Sequence, residues 1–389
     1  MYITILGRQP ALGVAELESL YGDGVQWYSD KAALISTDSF DFERLGGSQK
    51  AGKAVLELHG GSWFSVSRRI VEHYTKQWKD ANHKITLGLS VYGFDVLPRD
   101  IQKTGLIIKK TLRNNGVSVR LIPNAEPALN TATSHHNKLG LSLSHVELLI
   151  VRASNGRVVV AESIGAQNIT ALASRDQSRP RTDAFVGMLP PKLARMMINL
   201  SGVTAPTIVF DPFCGTGTVL QEALLLGCPV QGSDLSQKMV DYSQENINWL
   251  IGKYHLSDYT HTIYQADATS YQWPEASTVG AIVCESYLGQ PFSAPPSPAK
   301  LHEVRDNCNH IISSFLRNIH AQIAPGTPLV VAIPAWRDTQ GNFTHLPLTT
   351  NLARLGYVRK TFMHVRDEQL LYYRESQVGA REILVLRRE

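Results

Sequence analysis

Residues 208–234 read IVFDPFCGTGTVLQEALLLGCPVQGSD, a strand, a glycine turn, a helix and a second strand in succession. Thr207, Ile208, Val209 and Phe210 form a short β-branched and aromatic run suited to a strand buried on both faces. A tight turn follows, in which Gly215 and Gly217 let the backbone pass close to a ligand where a Cβ would intrude. Thr218 to Leu226 then reads as a helix that Gly227 ends, and Val230 leads a second short strand to Asp234. An acidic side chain thus arrives about twenty residues after the glycines, where open α/β sheets hold a ribose by its hydroxyls. The string departs from G-x-G-x-x-G, since Leu220 stands where the third glycine would be.

Downstream, strands and helices alternate. Gln237 to Leu250 reads as a helix, His261 to Gln265 as a strand ending at Asp267, and Val279 to Cys284 as a strand ending at Glu285. A proline-rich loop (Pro291 to Pro298), a long helix (His302 to Ile323) and a strand (Leu329 to Ile333) follow. Val358 to Val365 and Ile383 to Leu386 supply two more strands, expected to end in an antiparallel hairpin. This alternation predicts a mostly parallel sheet covered on both faces. Ligands of such sheets bind at the carboxyl ends of the strands, where Asp211, Asp234, Asp267 and Glu285 all fall.

Upstream, Tyr2 to Leu6, Pro10 to Tyr21, Val25 to Tyr28, Ala33 to Ser36, a short helix at Phe40 to Leu45 and Ala54 to Leu58 give the order β-α-β-β-α-β, a ferredoxin-like pattern that by itself implies no function. From Gly60 to about Ala171 the pattern changes. Ser65 to Trp78 reads as a helix, Lys84 to Tyr92 as a strand, and Asp100 to Arg113 as an amphipathic helix. Ile101, Gly105, Ile108 and Leu112 share one face of that helix, leaving Lys103, Lys109, Lys110 and Arg113 for solvent or phosphate. Val117 to Ile122 resumes as a strand carrying Arg120, and a short helix lies near Asn137 and Lys138. Ile169 to Ala184, with Arg175, Arg179 and Arg181 beside Pro180, reads as an exposed connector. Pro190-Pro191 opens a helix whose Leu193, Met196, Met197 and Leu200 are core positions, and which is expected to cap the ligand pocket.

At 389 residues the chain exceeds one ordinary domain, and 43% hydrophobic residues are ample for packed cores. No stretch is apolar for the length of a bilayer, and the N-terminus reaches Arg8 before a signal-like segment develops, so a soluble, cytoplasmic protein is expected. Cys214, Cys228, Cys284 and Cys308 lack C-x-x-C spacing, which argues against a zinc site or a disulfide framework. The net charge of +4 is unevenly spread. Residues 1–180 hold 21 Lys+Arg against 16 Asp+Glu, so the basic excess lies upstream of the glycine turn, consistent with a grip on a polyanion and equally with a solvated helix face.

DPFCGTGT followed by Glu222-Ala223 resembles the S-adenosylmethionine site of class I methyltransferases that act on nucleic-acid bases. ITILGRQPALGVAELESLYG and LGGSQKAGKAV resemble the N-terminal module of THUMP-containing tRNA guanosine methyltransferases, and GLIIKKTLRNNGVSVRLI with HNKL resembles THUMP itself. RDQSRPRTDAFVGMLPPKLARMMINL is similar to that family's approach to the cofactor strand. The arrangement resembles tRNA (guanine-10-N2)-methyltransferases most. The fold implied is α/β: a class I (Rossmann-like) methyltransferase domain at 185–389, preceded by α+β ferredoxin-like (1–59) and THUMP (60–171) domains and a linker (172–184).

The resemblance implies S-adenosylmethionine as cofactor and tRNA as partner, and eukaryotic relatives work with a small activator subunit; from cysteine spacing and hydropathy, no metal and no membrane are expected. Asp211 is expected to orient the glycine turn and face the ammonium or sulfonium side, Asp234 to take the ribose hydroxyls, and Asp267 the adenine amino group. Phe213, Gly215, Gly217, Leu235 and Ala268 complete the expected cofactor contacts. Lys103, Lys109, Lys110, Arg113, Arg120, Lys138, Arg175 and Arg179 are the expected RNA contacts. Glu285 and Tyr287 are the expected catalytic pair. ESYLG occupies the place where base-amino methyltransferases carry Asp/Asn-Pro-Pro-Tyr or Phe, a motif whose acceptors steer an exocyclic amine and whose ring stacks on the base. Here the acid is Glu, both prolines are absent and the ring is one place early. Three readings therefore stand: methylation of guanine N2 in tRNA, methylation of another RNA or DNA base, and a non-catalytic tRNA-binding protein.

Overall fold

A computed structural model of the chain describes residues 1–183, 188–256 and 261–389. Its contacts divide into two units, the first holding Met1–Pro10, Tyr21–Glu43 and Gly47–Ala171, the second Ala11–Leu20, Arg44–Gly46 and Leu172–Glu389.

The first unit is built on β1 (Tyr2–Leu6), α1 (Pro10–Tyr21, whose middle belongs to the second unit), β2 (Val25–Ser29), β3 (Ala32–Ile35) and β4 (Ser48–His59). There follow α2 (Trp63–Gln77), β5 (Ile85–Tyr92), α3 (Pro98–Asn114), β6 (Val119–Leu121), α4 (Thr131–His136), β7 (His145–Arg152) and β8 (Arg157–Ala166). All eight strands join one sheet in the order β2-β3-β1-β4-β8-β7-β5-β6. Segments 1–59 and 60–171 thus share a sheet, with β4 and β8 paired antiparallel from Lys50↔Ala166 to His59↔Arg157. On α3 the buried residues are Ile101, Thr104, Gly105, Ile108 and Leu112, the face that the apolar spacing marks. A buried Lys50 is held by Glu147, by Ser90 Oγ at 3.3 Å and by the Leu129 carbonyl at 2.7 Å, so its charge is neutralised and hydrogen-bonded inside the sheet.

The helix expected at Phe40–Leu45 does not form. The segment is taken up by side-chain contacts instead: Phe40 stacks on Tyr2 with ring centroids 4.8 Å apart, and Arg44 donates to Asn199 Oδ1 and the Val203 carbonyl. A run this short, followed by Gly46-Gly47, has too few intrahelical bonds to compete with them.

The second unit continues with α5 (Ile169–Gln177, from Leu172 on), α6 (Pro191–Ser201), β9 (Val209–Asp211), α7 (Thr218–Leu225), β10 (Val230–Asp234), α8 (Gln237–Tyr254), β11 (His261–Gln265), β12 (Ala281–Glu285) and α9 (Pro298–His320). It closes with β13 (Pro328–Arg337), β14 (Phe343–Thr344), β15 (Tyr357–Arg359), β16 (Leu371–Tyr372) and β17 (Gly379–Arg388). The main path of the sheet is β11-β10-β9-β12-β13-β17-β15; β9 to β13 are parallel, and β17 runs antiparallel to β13 and β15. Strand order reverses between β10 and β12, on either side of β9, and an α/β sheet opens a crevice at such a point, beyond the carboxyl end of β9. Among the described residues, no helix is long and apolar enough to cross a membrane.

Residues 169–183 are not the exposed connector that their composition suggests. α5 occupies 169–177, and the segment after it is strapped to α7 and α8. Glu222, fully buried on α7, accepts from Arg175 and from Arg195 Nε at 2.8 Å. Arg179 donates to Thr218 Oγ1 at 2.6 Å. The buried Asn246 amide bridges the Arg181 carbonyl and the Thr216 carbonyl, each at 2.9 Å. Arg175 and Arg179 are only 5% and 4% exposed, which corrects their assignment as RNA contacts: both are spent inside the second unit. Burial opposes the Arg175 charge, but the Glu222 carboxylate and the Tyr254 hydroxyl outweigh it and hold the guanidinium's proton more tightly than usual. The expected boundary between Ala184 and Phe185 lies outside the described residues.

Candidate active site

The crevice at the end of β9 is a cavity of about 680 Å³, within the range of small-molecule sites. All four strand-end acids line it: Asp211 on β9, Asp234 on β10, Asp267 after β11 and Glu285 on β12. Phe213, Gly215, Leu235, Ala268 and Tyr287 line it as well, so nine of the ten residues expected at the site are brought together.

The exception is Gly217, which serves the turn from behind. It sits at φ +82° at the N-terminus of α7, and a Cβ there would overlap Ser243 Oγ on α8. We expect Gly217→Ala to cost about 1–3 kcal/mol through left-handed strain, before any clash is counted. A urea midpoint unchanged from wild type would contradict this. Gly215 differs. At φ +52° an added Cβ would meet only the Phe213 carbonyl, at 4.0 Å, and would otherwise point into open cavity, so this glycine leaves room for a ligand.

Two carboxylates shape the turn. Asp211 accepts from the Phe213 N–H at 3.0 Å; Asp234 accepts from the Gly215 N–H at 3.0 Å and the Ser236 N–H at 2.9 Å. Orientation of the glycine turn is therefore shared, with Asp234 holding Gly215 directly. Each Asp234 oxygen engages one N–H and keeps a lone-pair direction for a ligand hydroxyl. Beneath the turn, the Cys214 N–H donates to the Ser233 carbonyl, and Ser233 Oγ receives Trp273 Nε1 at 3.2 Å. Asp267 is exposed and is fixed by the Thr269 N–H at 2.9 Å and Oγ1 at 2.7 Å.

Burial pushes the Asp211 carboxyl well above the usual carboxylate range; the Phe213 N–H opposes that, and the Asp234 and Glu285 charges add to it. Burial likewise raises Asp234, against the Ser236 and Gly215 N–H groups. The Cys214 and Cys284 thiols are pushed up by burial and by nearby carboxylates, so neither is the reactive thiolate that covalent base chemistry needs.

Around Glu285, Ser286 is buried, and both its N–H and its Oγ donate to the Ala332 carbonyl, at 3.0 and 2.9 Å. That anchors the loop where two prolines would otherwise stiffen it, and leaves Tyr287 41% exposed at the rim. Glu285 itself is paired with Arg381 on β17.

Several lining residues have no signal in the sequence. Asp183, 7% exposed and bonded by Lys238 Nζ at 2.8 Å, adds a fifth carboxylate from the strap. Met188 and Leu189 reach the cavity ahead of α6. None of α6 itself lines the cavity, so it is not the expected cap, while Met196 and Met197 are buried as core. His310, Ile311 and Ser314 face in from α9. In the first unit, Lys103, Lys109, Lys110, Arg113, Arg120 and Lys138 form no ion pair with any described residue; Lys109 is half-buried and the others exposed.

Residues 179–340 match the model of a family described as UPF0020, RMKL-like, methyltransferase domain. Over 167 residues the chain is 33% identical to the tRNA (guanine(10)-N2)-dimethyltransferase of Methanothermobacter thermautotrophicus, a match covering 42% of this chain and 45% of that protein. It is 35% identical over 118 residues to the protein of the same name from Methanocaldococcus jannaschii, covering 29% and 32%. The chain thus spans less than half the length of these curated relatives. The crystal structure of TrmN from Thermus thermophilus superimposes over 100% of this chain and 99% of its own, with TM-score 0.52 and 17% identity, a likeness of fold.

Proposed function

We propose that this chain, whose residues 179–340 match an RMKL-like methyltransferase domain, transfers a methyl group from S-adenosylmethionine to the N2 amine of a guanosine in tRNA, guanosine 10 being the position in its relatives' names. The observation that carries this is the convergence of a glycine turn and four strand-end carboxylates on one cavity.

When bound, the cofactor supplies an electrophilic methyl on a sulfonium, which leaves without acid catalysis. The chain's work is therefore to bind and align. Asp234 takes the ribose hydroxyls, Asp267 the adenine amino group, and Asp211 faces the ammonium or sulfonium side. Glu285 accepts an N–H from the substrate amine and so aims its lone pair, and Tyr287 stacks on the base. Segments 1–59 and 60–171 act as the ferredoxin-like and THUMP modules. There the cations Lys103, Lys109, Lys110, Arg113, Arg120 and Lys138 contact tRNA phosphates, and affinity falls with added salt. A small activator subunit, as in eukaryotic relatives, belongs to the same reading, as does a cytoplasmic location.

Asp234→Ala is expected to weaken S-adenosylmethionine binding about 10–100-fold, the scale of hydrogen bonds to a charged group. Unchanged affinity by calorimetry would contradict the cofactor assignment. The acceptor is tested by incubating tRNA, ribosomal RNA fragments and duplex DNA with labelled cofactor. Label in tRNA alone supports the proposal; label in another nucleic acid keeps the enzyme and changes its target. Cofactor binding with no methyl transfer would leave a non-catalytic RNA-binding protein.

A further inference from the structure

One strand, β13, separates Glu285 from the side chain that meets it. Glu285 on β12 pairs with Ala332 on β13, Ala332 pairs with Ile383 on β17, and Arg381 lies two residues along β17, opposite Pro334. Residues aligned across a sheet, and those two apart along a strand, share a face, so Glu285, Ala332, Pro334, Ile383 and Arg381 lie on one side. Strands are about 4.8 Å apart, and the small Ala332 leaves a trough over which a long arginine can reach. Arg381 Nε donates to Glu285 Oε1. Glu285 lines the cavity; Arg381 does not. Oε2 has no hydrogen-bond partner among the described residues.

We infer that Arg381 is the positioning residue of this site: from behind the cavity wall it holds one Glu285 oxygen and leaves the other oxygen as the acceptor for the substrate amine. In catalytic terms this rests on the proposed function above. It also accounts for the departure from Asp/Asn-Pro-Pro-Tyr. A glutamate has one more rotatable bond than an aspartate, and with no prolines after it the ion pair supplies the missing constraint.

Titratable groups face Glu285 from several elements. Asp211 on β9 feels the Glu285 charge and lines the same cavity, Cys284 adjoins Glu285 on β12, Arg381 meets it from β17, and Tyr287 and His310 line the cavity as well. Burial raises the Glu285 carboxyl above its ordinary value and Arg381 holds it down. The acceptor is lost as pH falls through that value, and without Arg381 the loss begins at higher pH.

The test uses the full chain with Arg381→Gln and Arg381→Lys. Infrared titration follows the protonated Glu285 carboxyl band, identified by its absence in Glu285→Gln. The expected midpoint is higher in Arg381→Gln than in wild type and moves back toward wild type in Arg381→Lys. Turnover of tRNA is expected to fall about 10²-fold in Arg381→Gln, the scale of a misaligned reacting group, with the acid limb of the rate profile displaced upward. Cofactor affinity should stay within twofold. An unmoved midpoint, a rate loss with an unmoved acid limb, or a parallel loss of cofactor binding would overturn the inference. If the wild-type chain methylates no RNA, the proposed function fails, and the infrared titration still decides whether Arg381 governs Glu285.

Discussion

Glu222→Ala is expected to destabilise the second unit by about 3–5 kcal/mol, the cost of leaving buried charge without its partner. Glu222 is fully buried, and its two oxygens serve Arg175 and Arg195, whose side chains are 6% and 14% exposed. Removing the carboxylate takes from the buried Arg175 guanidinium the anion that its Nε and one terminal nitrogen both donate to. Replacing all three residues with apolar ones of similar size should recover most of the loss, because the penalty lies in the buried Arg175 charge left without its carboxylate rather than in the absence of attraction. Urea denaturation of the three proteins checks both statements. A loss below about 1 kcal/mol for Glu222→Ala, typical of a surface pair, would show that the triad is solvated.

Glu285→Ala is expected to lower methyl transfer about 10²–10³-fold, the scale seen when a positioned hydrogen-bonding group is removed from a reacting centre. Cofactor affinity should change by less than twofold, since Asp211, Asp234 and Asp267 do not depend on Glu285 for their hydrogen bonds. The contrast with Asp234→Ala is the informative part, because one substitution separates turnover from binding and the other affects binding first. Calorimetry and single-turnover rates on the same preparations read the two. Parallel loss of both in Glu285→Ala would move this residue out of the substrate role.

Much of the second unit was legible because its signals are local. A buried strand, a glycine turn, a helix and an acid at the next strand end lie within residues 208–234, and backbone geometry alone brings Asp211 and Asp234 to one turn. Strand alternation then places Asp267 and Glu285 at the same edge. The amphipathic face of α3 was legible for the same reason, since its period of 3.6 needs no partner to be read. What was not legible depends on distant pairing. Arg381 meets Glu285 across 96 residues of chain, through a strand order that no local pattern encodes. Arg175 and Arg179 sit in an arginine- and proline-bearing stretch that composition marks as solvent-exposed, yet their partners on α7 take them inside. Asp183, bonded by Lys238 on α8, lines the cavity from the same stretch. The helix missing at 40–45 gives way to contacts of Phe40 and Arg44 with residues far away in sequence. In each case the error is one of range, where a tertiary partner overrides a local preference.

Direction of a methyl group by this cavity to guanine N2 in tRNA, as proposed, is tested most directly by nucleoside mass spectrometry of unmodified tRNA incubated with the purified chain and isotopically labelled S-adenosylmethionine. Labelled N2-methylguanosine, absent in a parallel reaction with Glu285→Ala, is the expected result. Label on a different nucleoside, or N2-methylguanosine formed equally well without Glu285, would contradict the account.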